Sequence, residues 1–217
     1  MLEPLLPQQT SMGRPWKHRL RLVIDAILHL LRTGCPWSAL PDWAPPRSTV
    51  YHWFRRLADD GWLERLHHAL LMAVREHQGR EASPTLGIVD SQTVKVMAPA
   101  GPRGYDAAKK INGRKRHILV DSLGNLLAVR VTDGAVQDRD GGAALVRQVR
   151  ALFPWLVRVA TDSAYAGRFE TALARLRIVV EIVRRPDFAK GFVLLPKRWR
   201  SMVSSGRLSR CSCSTRH

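Results

Sequence analysis

The chain has 217 residues, 45% of them hydrophobic, enough for one large or two small domains with a real core; disorder over most of its length is excluded. Its 35 Lys and Arg against 18 Asp and Glu give a net charge of +17 and a pI near 11.2, a field that attracts polyanions, nucleic acid being the commonest. No apolar run reaches membrane-spanning length, and "MLEPLLPQQTSMGR" lacks a basic start followed by an apolar core, so a cytoplasmic location is expected.

"RLRLVIDAILHLLRTG" predicts a first helix with Leu20, Val23, Ile24, Ile27 and Leu31 on its apolar face, stopped by Gly34 and Pro36. "CPWSALPDWAPP" reads as a Pro- and Trp-rich connection without regular structure. Cys35 lies there, and Cys211 and Cys213 lie near the end; with His217 they match no standard zinc spacing and make no disulfide framework. "RSTVYHWFRRLADDG" predicts a second helix with Ser48 as N-cap. Val50, Trp53, Phe54 and Leu57 face its core, while Arg47, Thr49, Tyr51, His52, Arg55 and Arg56 lie on the other side. A third helix runs from Trp62 to about Glu76 through Leu63, Leu66, Leu70 and Val74. Three helices around a basic, hydrogen-bonding middle one suit a helix-turn-helix module that enters a major groove while flanking arginines hold phosphates. The same pattern fits a small bundle whose solvated face is basic; the overall charge favours DNA.

"HQGREASP" marks a boundary, so residues 1–78 read as a helical domain and 79–84 as a linker. From Thr85 the pattern becomes strands: "TLGIVDSQTVKV", then "RHILVDS" and "LLAVRVTDG" around a turn at Leu123, Gly124 and Asn125. "DRDGGAALVRQVRALF" reads as a helix, "LVRVATDS" as a strand, "RFETALARLR" as a helix and "IVVEIVRR" as a strand. Three strands, helix, strand, helix, strand predict an α/β fold, a mixed sheet covered by helices.

Asp90 and Asp162 each end a buried-type apolar run. Carboxylates so placed stand at the edge of a rigid sheet, where two of them can share divalent cations through hard oxygen ligands. Two metals there would activate an attacking oxygen and stabilise a leaving one in phosphoryl transfer. Strand-end aspartates are also common turn formers, as Asp121, Asp133, Asp138 and Asp140 illustrate. Between the first two strands, "GPRGYDAAKKINGRKRH" crowds Arg103, Lys109, Lys110, Arg114, Lys115, Arg116 and His117 beside these acids. That stretch reads as a DNA-contacting segment with steep salt dependence, or else as a solvated basic loop.

Several long stretches then carry a resemblance: "LRTGCPWSALP", "STVYHWFRRLADDGWLERL", "IVDSQTVKV", "RGYDAAKKINGRKRHILVDSLGNLLAVRVTDGAVQDRDGG" and "TDSAYAG". In these the chain resembles an insertion-sequence transposase of the DDE type, in the group numbered five, with an IS402-like N-terminal domain. The resemblance runs from "EPLLP" to "LLPKRW". It implies a ribonuclease-H-like catalytic domain over residues 85–199, double-stranded DNA as partner through the element's inverted repeats and a target, and homo-oligomers on that DNA. It also implies Mg²⁺, with Mn²⁺ able to substitute, and cut-and-paste or related transposition. Asp90 matches the first family acid and Asp162 the second. The third, a glutamate after "LLPKRW" in a "VERTF"-like run, is expected at 202–204, where this chain has Met202, Val203 and Ser204. Residues 200–217 are Ser- and Arg-rich and free of acids, which predicts a reading-frame slip near Trp199, an aberrant tail and loss of the closing helix. Neither Glu170 nor Glu181 matches the position of the missing acid. A truncated copy would be catalytically impaired; the alternative is a non-catalytic DNA-binding protein or an inhibitor of intact copies.

Overall fold

The computed structural model describes residues 5–9, 15–96, 101 and 103–183. The positions 202–204, the tail from 200 and the closing-helix segment lie outside the described residues. Two compact units divide the chain between Val74 and Arg75.

The first unit is helical: α1 (Leu20–Thr33), a 3-10 turn (Trp37–Ala39), α2 (Arg47–Asp59) and the greater part of α3 (Trp62–His77). Gly34 ends α1 in the left-handed region at φ 69°, where its N–H reaches the Leu30 carbonyl at 2.8 Å. Val23, Ile24, Ala26 and Ile27 meet Val50, Trp53, Leu57 and Leu66 in one core. Two expected core residues sit outside it: Leu31 is 48% exposed and Val74 43%, both in the last turns of their helices. The Pro-rich connection is more ordered than its composition predicts. Trp37, in the 3-10 turn, packs edge-on against Tyr51 at 5.2 Å and at a tilt against Phe54 at 5.6 Å. Ser48 is not the N-cap of α2. The helix begins at Arg47, so the N-cap is Pro46, two residues earlier, and its carbonyl accepts from the amides of Thr49 and Val50.

The second unit is a six-stranded sheet with two helices: β1 (Leu86–Lys95), β2 (Gly104–Asp106), β3 (Ile111–Asp121), β4 (Leu126–Asp133), α4 (Asp138–Val149), β5 (Arg158–Thr161), α5 (Arg168–Ala174) and β6 (Val179–Ile182). β1, β3 and β4 are antiparallel, whereas β5 and β6 run parallel to β1 on its other side. The principal order is therefore β4-β3-β1-β5-β6, the arrangement expected of a ribonuclease-H-like α/β fold. β5 and the first half of β1 lie at the centre of the sheet and are apolar there (Ile88, Val89, Val159 and Ala160 are all buried), whereas β1 turns polar from Asp90 onward. α4 packs on β1, β3 and β4 and against α5.

One strand is additional to the expected order. The basic stretch folds into the hairpin β2–β3, so strand pairing starts at Ile111 rather than Arg116. The polar connection after α3 is also tied down. Arg75 donates to the carbonyls of Glu81 (2.9 Å) and Ala82 (3.0 Å) and forms a buried ion pair with Asp121. Asp121 accepts in addition from the amides of Leu123 and Asn125, combining the expected turn role with that pair.

Candidate active site

Asp90 lies within β1 and Asp162 one residue beyond β5. Those strands pair Leu86 with Arg158, Gly87 with Val159 and Ile88 with Ala160. The same register carried two residues further sets Asp90 level with Asp162, and parallel neighbours in register share a face of the sheet. The Thr161 hydroxyl donates to the Val89 carbonyl at 3.4 Å, holding the strands together at this end. Both carboxylates are half-buried and line one small cleft with Val89, Thr161 and Val183. Each has one oxygen fixed by a backbone amide: Ser91 N–H donates to Asp90 Oδ1 at 2.8 Å, and Ala164 N–H to Asp162 Oδ1 at 3.0 Å.

The ladder to β3 pairs Asp90 with Ile118, Gln92 with Arg116 and Val94 with Arg114. Arg114 and Arg116 thus follow Asp90 on its own face, both partly exposed. The alternate residues, Lys115 and His117, turn toward α4 and are buried. Here one expectation is corrected: Lys115 does not face solvent as a DNA-contacting cation. Its ammonium pairs with Asp106 at 3.3 Å and Asp138 at 3.0 Å and donates to the Val136 carbonyl at 2.8 Å. A period of two assigns neighbouring residues of a strand to opposite faces, and a run of consecutive cations cannot all be exposed.

Asp106 also accepts from the Thr93 hydroxyl at 2.5 Å and from the amides of Ala108 and Lys109. Burial alone would raise its pKa. The Thr93 hydroxyl, the Lys109 amide and Lys115 outweigh that and hold it at about 2. Burial pushes His117 down to about 4, against the opposing pull of Asp138 and with help from Lys115 and Arg130. His117 Nε2 lies 3.1 Å from the Thr132 hydroxyl, and its ring occupies the place where a side chain on Gly141 would be.

Behind the two acids lies Tyr165, wholly buried in the 3-10 turn (Ser163–Tyr165) that Asp162 caps, with its ring edge-on to Phe169 at 5.1 Å. Burial raises its pKa far above that of an ordinary phenol, and the charges of Asp138, Asp90 and Asp162 add to the rise. The Ser91 hydroxyl acts the other way but does not complete a hydrogen bond of good geometry with it. A neutral phenol is therefore locked beneath the carboxylates. Asp106, Asp138 and Tyr165 were not legible as a group, because only the packing of α4 and the 3-10 turn on the sheet brings them together.

The other expected contact residues divide by unit. Arg103, Lys109 and Lys110 are exposed. Arg103 Nε donates to Asn112 at 3.2 Å, Lys109 Nζ reaches the Ser91 carbonyl at 3.4 Å, and Lys110 takes a left-handed φ of 53° beside β3. In the helical unit Arg47, Tyr51, His52, Arg55 and Arg56 are exposed on α2 and Thr49 is half-buried. Glu170 accepts from the Gly167 amide at 2.8 Å, a helix-capping contact. Glu181 lies on β6 opposite Ala160. Among the described residues, no three or more His, Cys, Asp or Glu side chains come together as a metal-holding group. Asp90 and Asp162 have the hard oxygen donors that suit Mg²⁺ or Mn²⁺ and would supply two ligands.

Residues 81–201, more than half of the chain, match the family described as "Transposase DDE domain". Residues 1–67 match "Putative transposase of IS4/5 family (DUF4096)". A search of the curated proteins found no match. Among solved structures, the chain is similar to one in the simian T-cell lymphotropic virus intasome in complex with PP2A regulatory subunit B56 gamma. Identity is 18% and TM-score 0.34, over 60% of this chain and 38% of that one. A second similarity is to the Mos1 transposase paired-end complex with left transposon end, at 10% identity and TM-score 0.29, over 80% of this chain and 61% of that one. The chain thus spans less than two thirds of either.

Proposed function

The chain belongs to the transposases with a DDE domain, and on that premise we propose that it binds the terminal inverted repeats of its element in double-stranded DNA. We propose further that Asp90 and Asp162 are two carboxylates of a metal-dependent site for DNA strand cleavage and transfer. The register that brings these residues level on adjacent strands carries this reading. When bound there, Mg²⁺ or Mn²⁺ would activate the attacking oxygen and stabilise the leaving one.

The chain's own groups prepare that chemistry. Backbone amides fix one oxygen of each carboxylate, which orients the pair toward the cleft. Arg114 and Arg116 follow on the same face and attract a phosphodiester to the acids, and Lys109 stands on the neighbouring turn. α2 presents Arg47, Tyr51, His52, Arg55 and Arg56 for the repeat, in the manner of a helix-turn-helix module. Where the family carries its third acid, this chain has Met202, Val203 and Ser204, so cleavage is impaired while DNA binding persists. That acid-free stretch favours the second reading, a DNA-binding protein that occupies repeats or joins intact copies in mixed oligomers.

The test incubates the purified chain with a duplex carrying the inverted repeat, with Mg²⁺ or Mn²⁺. A salt-sensitive, repeat-specific complex with feeble cleavage is expected. Efficient cutting would overturn the impairment, and absence of a complex at low salt would overturn the DNA reading.

A further inference from the structure

We propose that the helical unit holds a backbone phosphate of duplex DNA in a cleft formed by Lys17 and His18 with the Ser48–His52–Arg56 stripe of α2. This rests on the DNA-binding reading above and deepens it, because it separates a phosphate-gripping face of α2 from a base-reading face.

The cleft has a volume of about 410 Å³, and Trp16, Lys17, His18, Ser48, His52 and Arg56 form much of its wall. Ser48, His52 and Arg56 recur every fourth residue and so form one stripe along α2. Lys17 and His18 enter from the segment before α1, which the chain brings alongside that stripe. Among the described residues none of the lining groups is acidic, while four carry or can carry positive charge. The accessible polar side chains offer hydrogen to a ligand, and a polyanion is the ligand that complements them.

The aromatic residues argue against a base as occupant. Trp53 is 8% exposed, Trp16 meets it edge-on with centroids 4.9 Å apart, and the Arg56 guanidinium lies over its ring at 5.2 Å. Trp53 therefore has little free face on which a nucleobase could stack. The rings act instead as a rigid wall on one side of Arg56, whose half-exposed guanidinium also meets Asp60 at 3.7 Å, a loose surface pair that a phosphate can replace.

The neighbouring stripe, Arg47, Tyr51 and Arg55, lies beside the cleft on α2 and is exposed throughout. It is left to face base edges. Contacts to phosphate hold a protein in register without reading sequence, and base-edge contacts discriminate. The two stripes therefore predict two different phenotypes.

Fluorescence anisotropy of the full chain tests this with two duplexes, one bearing the inverted repeat and one a scrambled sequence of equal length and composition. Lys17→Gln changes an exposed side chain, and Arg56→Lys keeps the charge while removing the fork; a thermal melt confirms the fold of each. Lys17→Gln is expected to weaken binding several-fold on both duplexes alike and to reduce the salt dependence by about 0.9 in log–log slope. Arg55→Gln is expected to lower the preference for the repeat over the scramble. A neutral methylphosphonate walked along the repeat should reveal one position where wild type loses affinity and Lys17→Gln loses no more. If Lys17→Gln leaves affinity and slope unchanged while wild type binds the repeat, the cleft proposal falls and the DNA reading stands. If wild type binds neither duplex at low salt, both fall.

Discussion

The side chains that differ most from their isolated chemistry lie one layer behind the candidate acids. Lys115 is buried between Asp106 and Asp138, and Lys115→Met would leave those carboxylates without their cation. Breaking a buried pair from one side costs roughly 3–5 kcal/mol, and a denaturant midpoint lowered to match is the expected result. The folded fraction should still bind DNA as wild type does, whereas Lys109→Gln should leave stability unchanged and weaken DNA binding. His117 gives a pH dependence of definite sign. Its folded pKa is about 4 against 6.5 for the free side chain, so between those values the unfolded chain binds more protons. Stability is therefore fully present above pH 6.5 and falls as the pH drops toward 4, by on the order of 3 kcal/mol. Urea midpoints measured across that range should show the fall, and His117→Gln should flatten it. At the acids, Asp90→Asn and Asp162→Asn should each abolish residual metal-dependent cleavage, a loss of roughly 10³-fold for several kcal/mol of charge stabilisation. A matching melt with unaltered cleavage would remove either residue from the site.

Elements determine which residues meet. β3 pairs with β1 along nearly its whole length, and this fixes which of its cations share the face of Asp90. α4 lies close enough to β3 that a Cβ on Gly141 would stand 2.1 Å from His117 Nε2. Gly141→Ala must therefore displace a buried ring or the helix, at a cost of about 1–3 kcal/mol. Differential scanning calorimetry should show the lowered Tm, and pairing the change with His117→Ala should recover part of it. Gly113 is tighter still, since a Cβ there would lie 2.0 Å from the Val94 carbonyl of the backbone across the ladder. This explains a glycine immediately before the basic run of β3: only hydrogen fits between β3 and β1 at that point.

For the whole molecule, the charge of +17 and the absence of any acid after Asp187 frame the expected behaviour. Binding of duplex DNA should weaken steeply with salt, and the log–log slope counts the phosphates engaged. Introducing the family's glutamate alone, for example as Val203→Glu, tests how much of the proposed impairment comes from the acid and how much from the surrounding segment. Recovered cleavage would assign the defect to one side chain; no recovery would assign it to the segment. Translating the gene in its other two frames beyond the Trp199 codon should reveal a "VERTF"-like run if the frame slipped, and its absence there would end that explanation.

Apolar periodicity by itself determined the helices, the principal strands and the two carboxylates that follow buried apolar runs, although Asp90 proves to lie within β1 and only Asp162 beyond the end of its strand. Periods of 3.6 and 2 are written locally, and a strand of Ile, Val and Ala next to a polar residue announces where burial stops. Only the tertiary structure decided that Asp90 and Asp162 stand level, since the register of two strands so distant in sequence is a property of their pairing. It also decided that Lys115 is a buried anchor and not a surface cation, which no count of charge could reveal. Arg114, Lys115 and Arg116 look alike in composition; what separates them is the pleat, and the pleat acquires an inside only when α4 packs against it.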